Sequence, residues 1–138
     1  MFTRKILIVI VVFCSNFIEA QNLTTGAAIN KAGRQRMLSQ RMAKNYMAIG
    51  AGIKIEDALR ELDESSSSFN ENLRDLENYS KNKDTSDAIA FVSVLWSNFR
   101  TGVLSKTDID AAEKIIADDD SLMKILETYK FILKTKKP

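Results

Sequence analysis

The sequence predicts an all-α protein, an antiparallel up-down-up-down four-helix bundle. Three observations carry that expectation. The 138 residues contain a single Pro, at the last position, and five Gly, so few residues interrupt a helix. Apolar residues recur at intervals of three and four nearly throughout. The stretches rich in small and polar residues between those periodic runs are short, which suits antiparallel neighbours. Helices of roughly 18 to 30 residues would give a rod some 30 to 45 Å long.

The first residues read as a leader. Arg4 and Lys5 precede an apolar run from Ile6 to Ile18, and Ile18-Glu19-Ala20 offers a small residue at a cleavage point before Gln21. The run of about 13 residues is short of the roughly 20 a spanning helix needs, so a cleaved signal peptide over 1–20 is expected, with an uncleaved N-terminal anchor facing the periplasm as the alternative. Bulky Phe13 before Cys14 speaks against a lipid-modified cysteine. The expected mature domain, 21–138, is periplasmic or secreted and has no cysteine.

The first helix is expected to start after Thr24 or Thr25 and run to Gly50 or Gly52. A second starts near Glu56 and ends around Tyr79, with Leu59, Leu62, Ser66, Phe69, Leu73 and Leu76 as its seam. Ser65 to Ser68 could be a linker, but Phe69 and Leu73 resume the same phase, which favours a small residue in the seam. A third opens with Asp84 or Thr85 as cap, buries Ala88, Val92, Leu95, Trp96, Phe99 and Val103, and ends at Gly102. The fourth begins after Ser105 or Thr107, with Asp108 and Asp110 near the positive end of the helix dipole. Its stripe is Ile109, Ala112, Ile116, Met123, Leu126, Tyr129 and Leu133. Its weak point is Asp118-Asp119-Asp120, of which Asp119 falls on the stripe. The plain reading is a kink, with Asp120 capping a second segment from Ser121; the other is a carboxylate cluster facing the bases of the first helix.

The chain has no histidine. Without His, and without Cys in the mature part, imidazole and thiol nucleophiles, His-assisted serine triads and the common transition-metal sites are excluded. An enzyme is not expected, and no cofactor or metal is implied. The charge is asymmetric. Residues 21–55 hold six bases and no acids, whereas 56–138 hold twelve bases and seventeen acids, net +6 against −5. The first segment is where an anion would go. One aromatic in the basic segment, Tyr46, and an acidic remainder argue against nucleic acid as partner.

On the first helix Ile29, Gly33, Arg36, Gln40, Ala43 and Met47 fall on one stripe, and Leu38, Met42, Tyr46 and Ile49 form a second apolar patch. The second patch can pack into the chain's own bundle. Arg34 and Arg41 share a third direction and can be answered by solvent or by acids of other helices. Arg36 sits among small, apolar or neutral residues that would let another helix approach, and its guanidinium suits an oxyanion. Were two copies of this stripe to pack about a two-fold axis, the paired Arg36 side chains would repel by about 1 to 4 kcal/mol at roughly 4 Å. A small shared anion would turn that repulsion into charge-assisted bonds.

The residues Ile29-Asn30-Lys31-Ala32-Gly33-x-x-Arg36-Met37-x-Ser39-x-Arg41 resemble the signature on the first periplasmic helix of nitrate/nitrite sensor kinases of the NarX and NarQ type. The fuller AGRQRMLSQRMAK, residues 32–44, looks like the version in PilJ-type chemotaxis transducers. The resemblance implies an extracytoplasmic four-helix sensor module in which one anion, nitrate or nitrite, lies between two copies of the first helix. Arg36 from each chain would hold it, the Gly33 backbone assisting, with Lys31 and Arg41 nearby and Gln40 on the same stripe. Those sensors are flanked by membrane spans, whereas nothing after residue 22 here approaches one and the chain stops at Lys136-Lys137-Pro138. The expectation is therefore a stand-alone module, a homodimer working with a membrane signalling partner. The alternative is a bundle that docks on a membrane receptor and takes no small ligand.

Overall fold

The computed structural model describes residues 23–135, apart from the side chain of Ile109. The expected leader lies outside these residues. Four helices follow in order: α1 (Thr25–Gly50), α2 (Ile55–Tyr79), α3 (Lys83–Val103) and α4 (Ile109–Thr135). They form the expected all-α bundle. No helix among the described residues is long and apolar enough to cross a membrane.

Each boundary has a local cause. Thr24 caps α1, its Oγ1 accepting from the Ala27 amide at 3.2 Å. At the other end the chain reverses through Gly52, whose φ of +72° is left-handed, while the Ile53 amide reaches back to the Ala48 carbonyl at 2.9 Å. Glu56 and Asp57 then sit in the first turn of α2, at the positive end of its dipole. The cap of α3 is Asn82 and not Asp84 or Thr85. Its Oδ1 accepts from the Thr85 amide at 3.0 Å, which makes Thr85 a buried residue of the first turn. Asp108 caps α4 by accepting from the Ala111 amide at 2.6 Å.

Gly102 does not end α3, which runs on to Val103. Its missing side chain serves packing: a Cβ there would lie 2.4 Å from Cδ1 of buried Ile115 on α4. The α4 stripe also differs from expectation. Ala112, Ile115, Asp119, Leu122, Leu126, Tyr129 and Leu133 run at spacings of 3 and 4 without a break; Ala112 is partly buried and the others are buried, while Ile116 is exposed. The helix does not restart at Asp120. Ser121 lies mid-helix, its hydroxyl returned to the Ala117 carbonyl at 3.0 Å, so Asp120 caps nothing. On α2, Ser65 and Ser66 are both buried in a continuous helix, and Ala58 takes the seam position expected for exposed Leu59. On α3, Ile89 is buried where Ala88 and Leu95 are only partly so.

Helix α1 packs closely on both α2 and α4, and α3 packs closely on α4, whereas α2 and α3 approach each other at fewer points. The α2–α3 gap is filled by Phe69 stacked on Trp96, ring centroids 3.9 Å apart and planes 13° from parallel. Polar bonds bridge its rim: the Trp96 indole N–H donates to Asn70 at 2.7 Å, the Arg100 Nε to Ser66 at 3.2 Å, and Ser93 to Glu77 at 2.6 Å. Phe69 is fully buried, so Phe69→Ala is expected to cost about 3 to 5 kcal/mol in urea unfolding. A loss under about 1 kcal/mol would mean that the stack does not hold α2 to α3.

Candidate functional site

The acid-free helix α1 is answered from both sides. On its α2 flank Lys31 bonds Asp75 at 2.8 Å and Asn72 at 3.1 Å. Further along, Lys44 comes within 4.0 Å of Glu61, which also accepts from Asn45 at 3.2 Å. On its α4 flank Arg36 pairs with Glu127, and Lys130 of α4 stands 3.9 Å from the same carboxylate. A Cβ on Gly33 would lie 3.9 Å from the Lys130 ammonium, so Gly33, Arg36, Glu127 and Lys130 form one cluster at the α1–α4 seam.

The candidate residues therefore divide. Gly33 and Arg36 come together. Lys31 points to the opposite flank of α1, 140° round at 100° per residue, and is engaged by α2. Gln40 and Arg41 are exposed, as is Arg34, and among the described residues neither Arg34 nor Arg41 makes an ion pair. The stripe Ile29, Gly33, Arg36, Gln40, Ala43 and Met47 is the α4-side rim of α1. All of it is partly buried except exposed Gln40.

The buried stripe of α1 lies one residue away. It is Ala28, Ala32, Gln35, Ser39, Met42 and Tyr46, with the same 4, 3, 4, 3, 4 spacing. Gln35 is fully buried and donates to the Phe69 carbonyl at 3.1 Å, while its Oε1 has no hydrogen-bond partner. The Ser39 hydroxyl donates to the Arg36 carbonyl at 3.0 Å and stands beside Asp119 of α4. Asp119 is 8% exposed, and burial pushes its carboxyl above the usual carboxylate range. The expected carboxylate cluster facing basic residues is not formed: Asp118 turns to Lys114, Asp120 to solvent, and Asp119 meets a hydroxyl. Among the described residues no three His, Cys, Asp or Glu side chains gather as a possible metal site. Sequence reasoning missed Gln35, Ser39 and Asp119 as a buried polar layer. The signal that was there is the spacing of Gln35 and Ser39 from Ala28 and Ala32.

The chain is thus a four-helix bundle whose basic, acid-free first helix is met by acids of α2 and α4. The chain belongs to the PilJ family, the type IV pili methyl-accepting chemotaxis transducer N-terminal domain, whose model matches residues 17–122. That stretch takes in all of α1, α2 and α3 and about half of α4. Comparison with curated proteins and with solved structures finds no match. The family is one of signal transduction, so the chain is a sensor-like signalling domain and not a member of an enzyme family.

Arg36 and Glu127 are 38% and 48% exposed in their side chains, which leaves their attraction screened by water. A double-mutant cycle with Arg36→Ala and Glu127→Ala is expected to give a coupling under about 1 kcal/mol. A coupling of several kcal/mol would make the pair a structural lock instead of an exchangeable contact.

Proposed function

We propose that the chain is an extracytoplasmic ligand-binding module that pairs with a second copy through α1 and holds a small oxyanion, nitrate or nitrite, at Arg36. The observation that carries this reading is the position of Arg36. It lies on the rim of α1 among small or neutral residues, and its one ion-pair partner among the described residues is the half-exposed Glu127 carboxylate. Membership of a chemotaxis-transducer family supports a sensing role, and the likeness of residues 29–41 to nitrate/nitrite sensors supports the anion. A membrane signalling partner follows from the same family membership.

Glu127 gives the proposal a sharper form. An oxyanion reaching Arg36 must displace or share with the Glu127 carboxylate, since both seek the same guanidinium donors. Lys130 then changes role, from a neighbour of Glu127 to a second cation beside the ligand. Gly33 leaves the Lys130 ammonium room beside it, since even a Cβ there would stand 3.9 Å away.

Calorimetry with nitrate and nitrite is expected to show binding that disappears in Arg36→Ala and tightens several-fold in Glu127→Gln, which removes the competing charge. Thermal shift should follow RT ln(1 + [L]/Kd) for the bound anion and be flat for the Arg36 variant. No binding of either anion at millimolar concentration would overturn the nitrate assignment. In that event the exposed bases Arg34 and Arg41 favour the second reading, docking on an acidic receptor surface, which salt would weaken.

A further inference from the structure

The side of the bundle where α2 and α3 approach at few points carries a groove of about 590 Å³. It is lined by Ser67, Asn70, Leu73, Arg74 and Glu77 of α2 and is open to solvent along one side. Asn70 and Glu77 are also the residues that bridge to Trp96 and Ser93 of α3. Ser67, Asn70, Arg74 and Glu77 follow one another at spacings of 3, 4 and 3, so they share one face of the helix, while buried Leu73 supplies an apolar floor. The volume falls within the roughly 300 to 1,000 Å³ of small-molecule sites, and a nitrate ion would leave most of it to water.

Both charges in the groove are unanswered by the protein. Arg74 makes no hydrogen bond or ion pair among the described residues, although Glu71 and Glu77 stand one turn to either side of it. Asp75, next in sequence, is turned to Lys31 of α1. Glu77 accepts the Ser93 hydroxyl on Oε1 at 2.6 Å and meets no cation among the described residues, so its second oxygen keeps its acceptor capacity. Asn70 accepts the Trp96 indole N–H on Oδ1 and still has its amide N–H groups to give. A donor for an anion and an acceptor for a cation therefore lie one turn apart, about 4.5 Å of helix rise. That is close enough for one small zwitterion to meet both, its carboxylate on Arg74 and its ammonium on Glu77. Its side chain then runs over Leu73 toward Asn70 and Ser67, which can donate to an amide or hydroxyl oxygen.

We propose that this groove is a second ligand site, which takes a free α-amino acid with a polar, uncharged side chain. It is separate from Arg36, which lies on the α1–α4 side of the bundle, and does not rest on the anion reading. Arg74 and Glu77 are both exposed, so water screens each contact, and neither charge alone holds a ligand firmly. Selectivity comes from meeting the two together: an anion gains Arg74 but is repelled by Glu77, and a cation the reverse. Occupancy reaches the bundle through Asn70 and Glu77, whose bonds to Trp96 and Ser93 tie α2 to α3.

The chain has one Trp, so Trp96 reports on the groove without interference. L-Glutamine and L-serine are titrated into the millimolar range, without nitrate, while the indole N–H resonance and the fluorescence of Trp96 are followed. Glutaramate, which is glutamine without its α-ammonium, is titrated alongside. At least one of the two amino acids is expected to shift the Trp96 signals saturably, and glutaramate to bind about tenfold or more weakly than glutamine. Arg74→Ala and Glu77→Gln should each weaken the amino acid by a similar factor, and Arg36→Ala should leave it unchanged. Both positions are exposed and Glu77→Gln keeps an acceptor for Ser93, so the variants retain the fold. No saturable change with either amino acid, glutaramate binding as well as glutamine, or binding unaltered in both groove variants would overturn the proposal.

Discussion

Helix α1 carries cations and no anions, and the rest of the bundle is arranged around that imbalance. A helix with acids three or four residues from its bases can neutralise itself locally. This one cannot, so its counter-charges arrive from other helices. Asp75 and Glu61 of α2 reach Lys31 and Lys44 on one flank, and Glu127 of α4 reaches Arg36 on the other. Placing α1 between α2 and α4 satisfies both flanks together. None of these contacts is strong alone, because the groups are largely solvated. Each adds a small preference for the observed face of α1 to the larger one from burial of its core stripe.

The inward face is unusually small and polar for a bundle core. Ala28, Ala32 and Ser39 allow the neighbouring backbones to come close, and Gln35 spends its amide on a carbonyl of α2. Bulk is supplied elsewhere, by Met42 and Tyr46 toward the end of α1 and by Phe69, Trp96 and Phe99 across the α2–α3 gap. The aromatic bulk thus lies toward the α2–α3 side, while small and polar side chains line the inward face of α1. At the α1–α4 seam the ion pair of Arg36 with Glu127 lies one turn from Ser39, which stands beside buried Asp119. A sensor needs an element whose arrangement a ligand can bias by a few kcal/mol, and a seam of underused hydrogen bonds is better suited to that than an aromatic core.

The number, order and ends of the helices were largely legible, because strong caps and turn residues mark them. Thr24 was one of the two caps expected for α1, and Gly52 turns the chain, while α4 is capped by Asp108 and not by the expected Ser105 or Thr107. The phase of α1 was not. Ile29, Gly33, Arg36, Gln40, Ala43 and Met47 have the same spacing as the buried Ala28, Ala32, Gln35, Ser39, Met42 and Tyr46, one residue away. With small and neutral residues on both stripes, periodicity alone cannot choose between them. What separates them is packing against α2 and α4, which are distant in sequence. The phase of α4 was lost for a different reason: Asp119 fell on the expected stripe, but Ile115 and Ile116 stand four and three residues before it, and spacing alone does not choose between them. Arg36 was picked out correctly as the base that needs a partner, but its partner within the chain, 91 residues away, carries no local signal.

Arg36 and its neutral rim remain the surface on which a second copy is proposed to pack, and that pairing is open to a direct measurement. The chain has one cysteine, Cys14, so a Cys14→Ser background lets an introduced thiol report alone. Gln40→Cys places it on the exposed part of the α1 rim, and Ser67→Cys places a control on exposed α2. Mild oxidation should link two chains through position 40 and leave the position 67 variant monomeric. Monomer at both positions, or equal linking at both, would contradict pairing through α1.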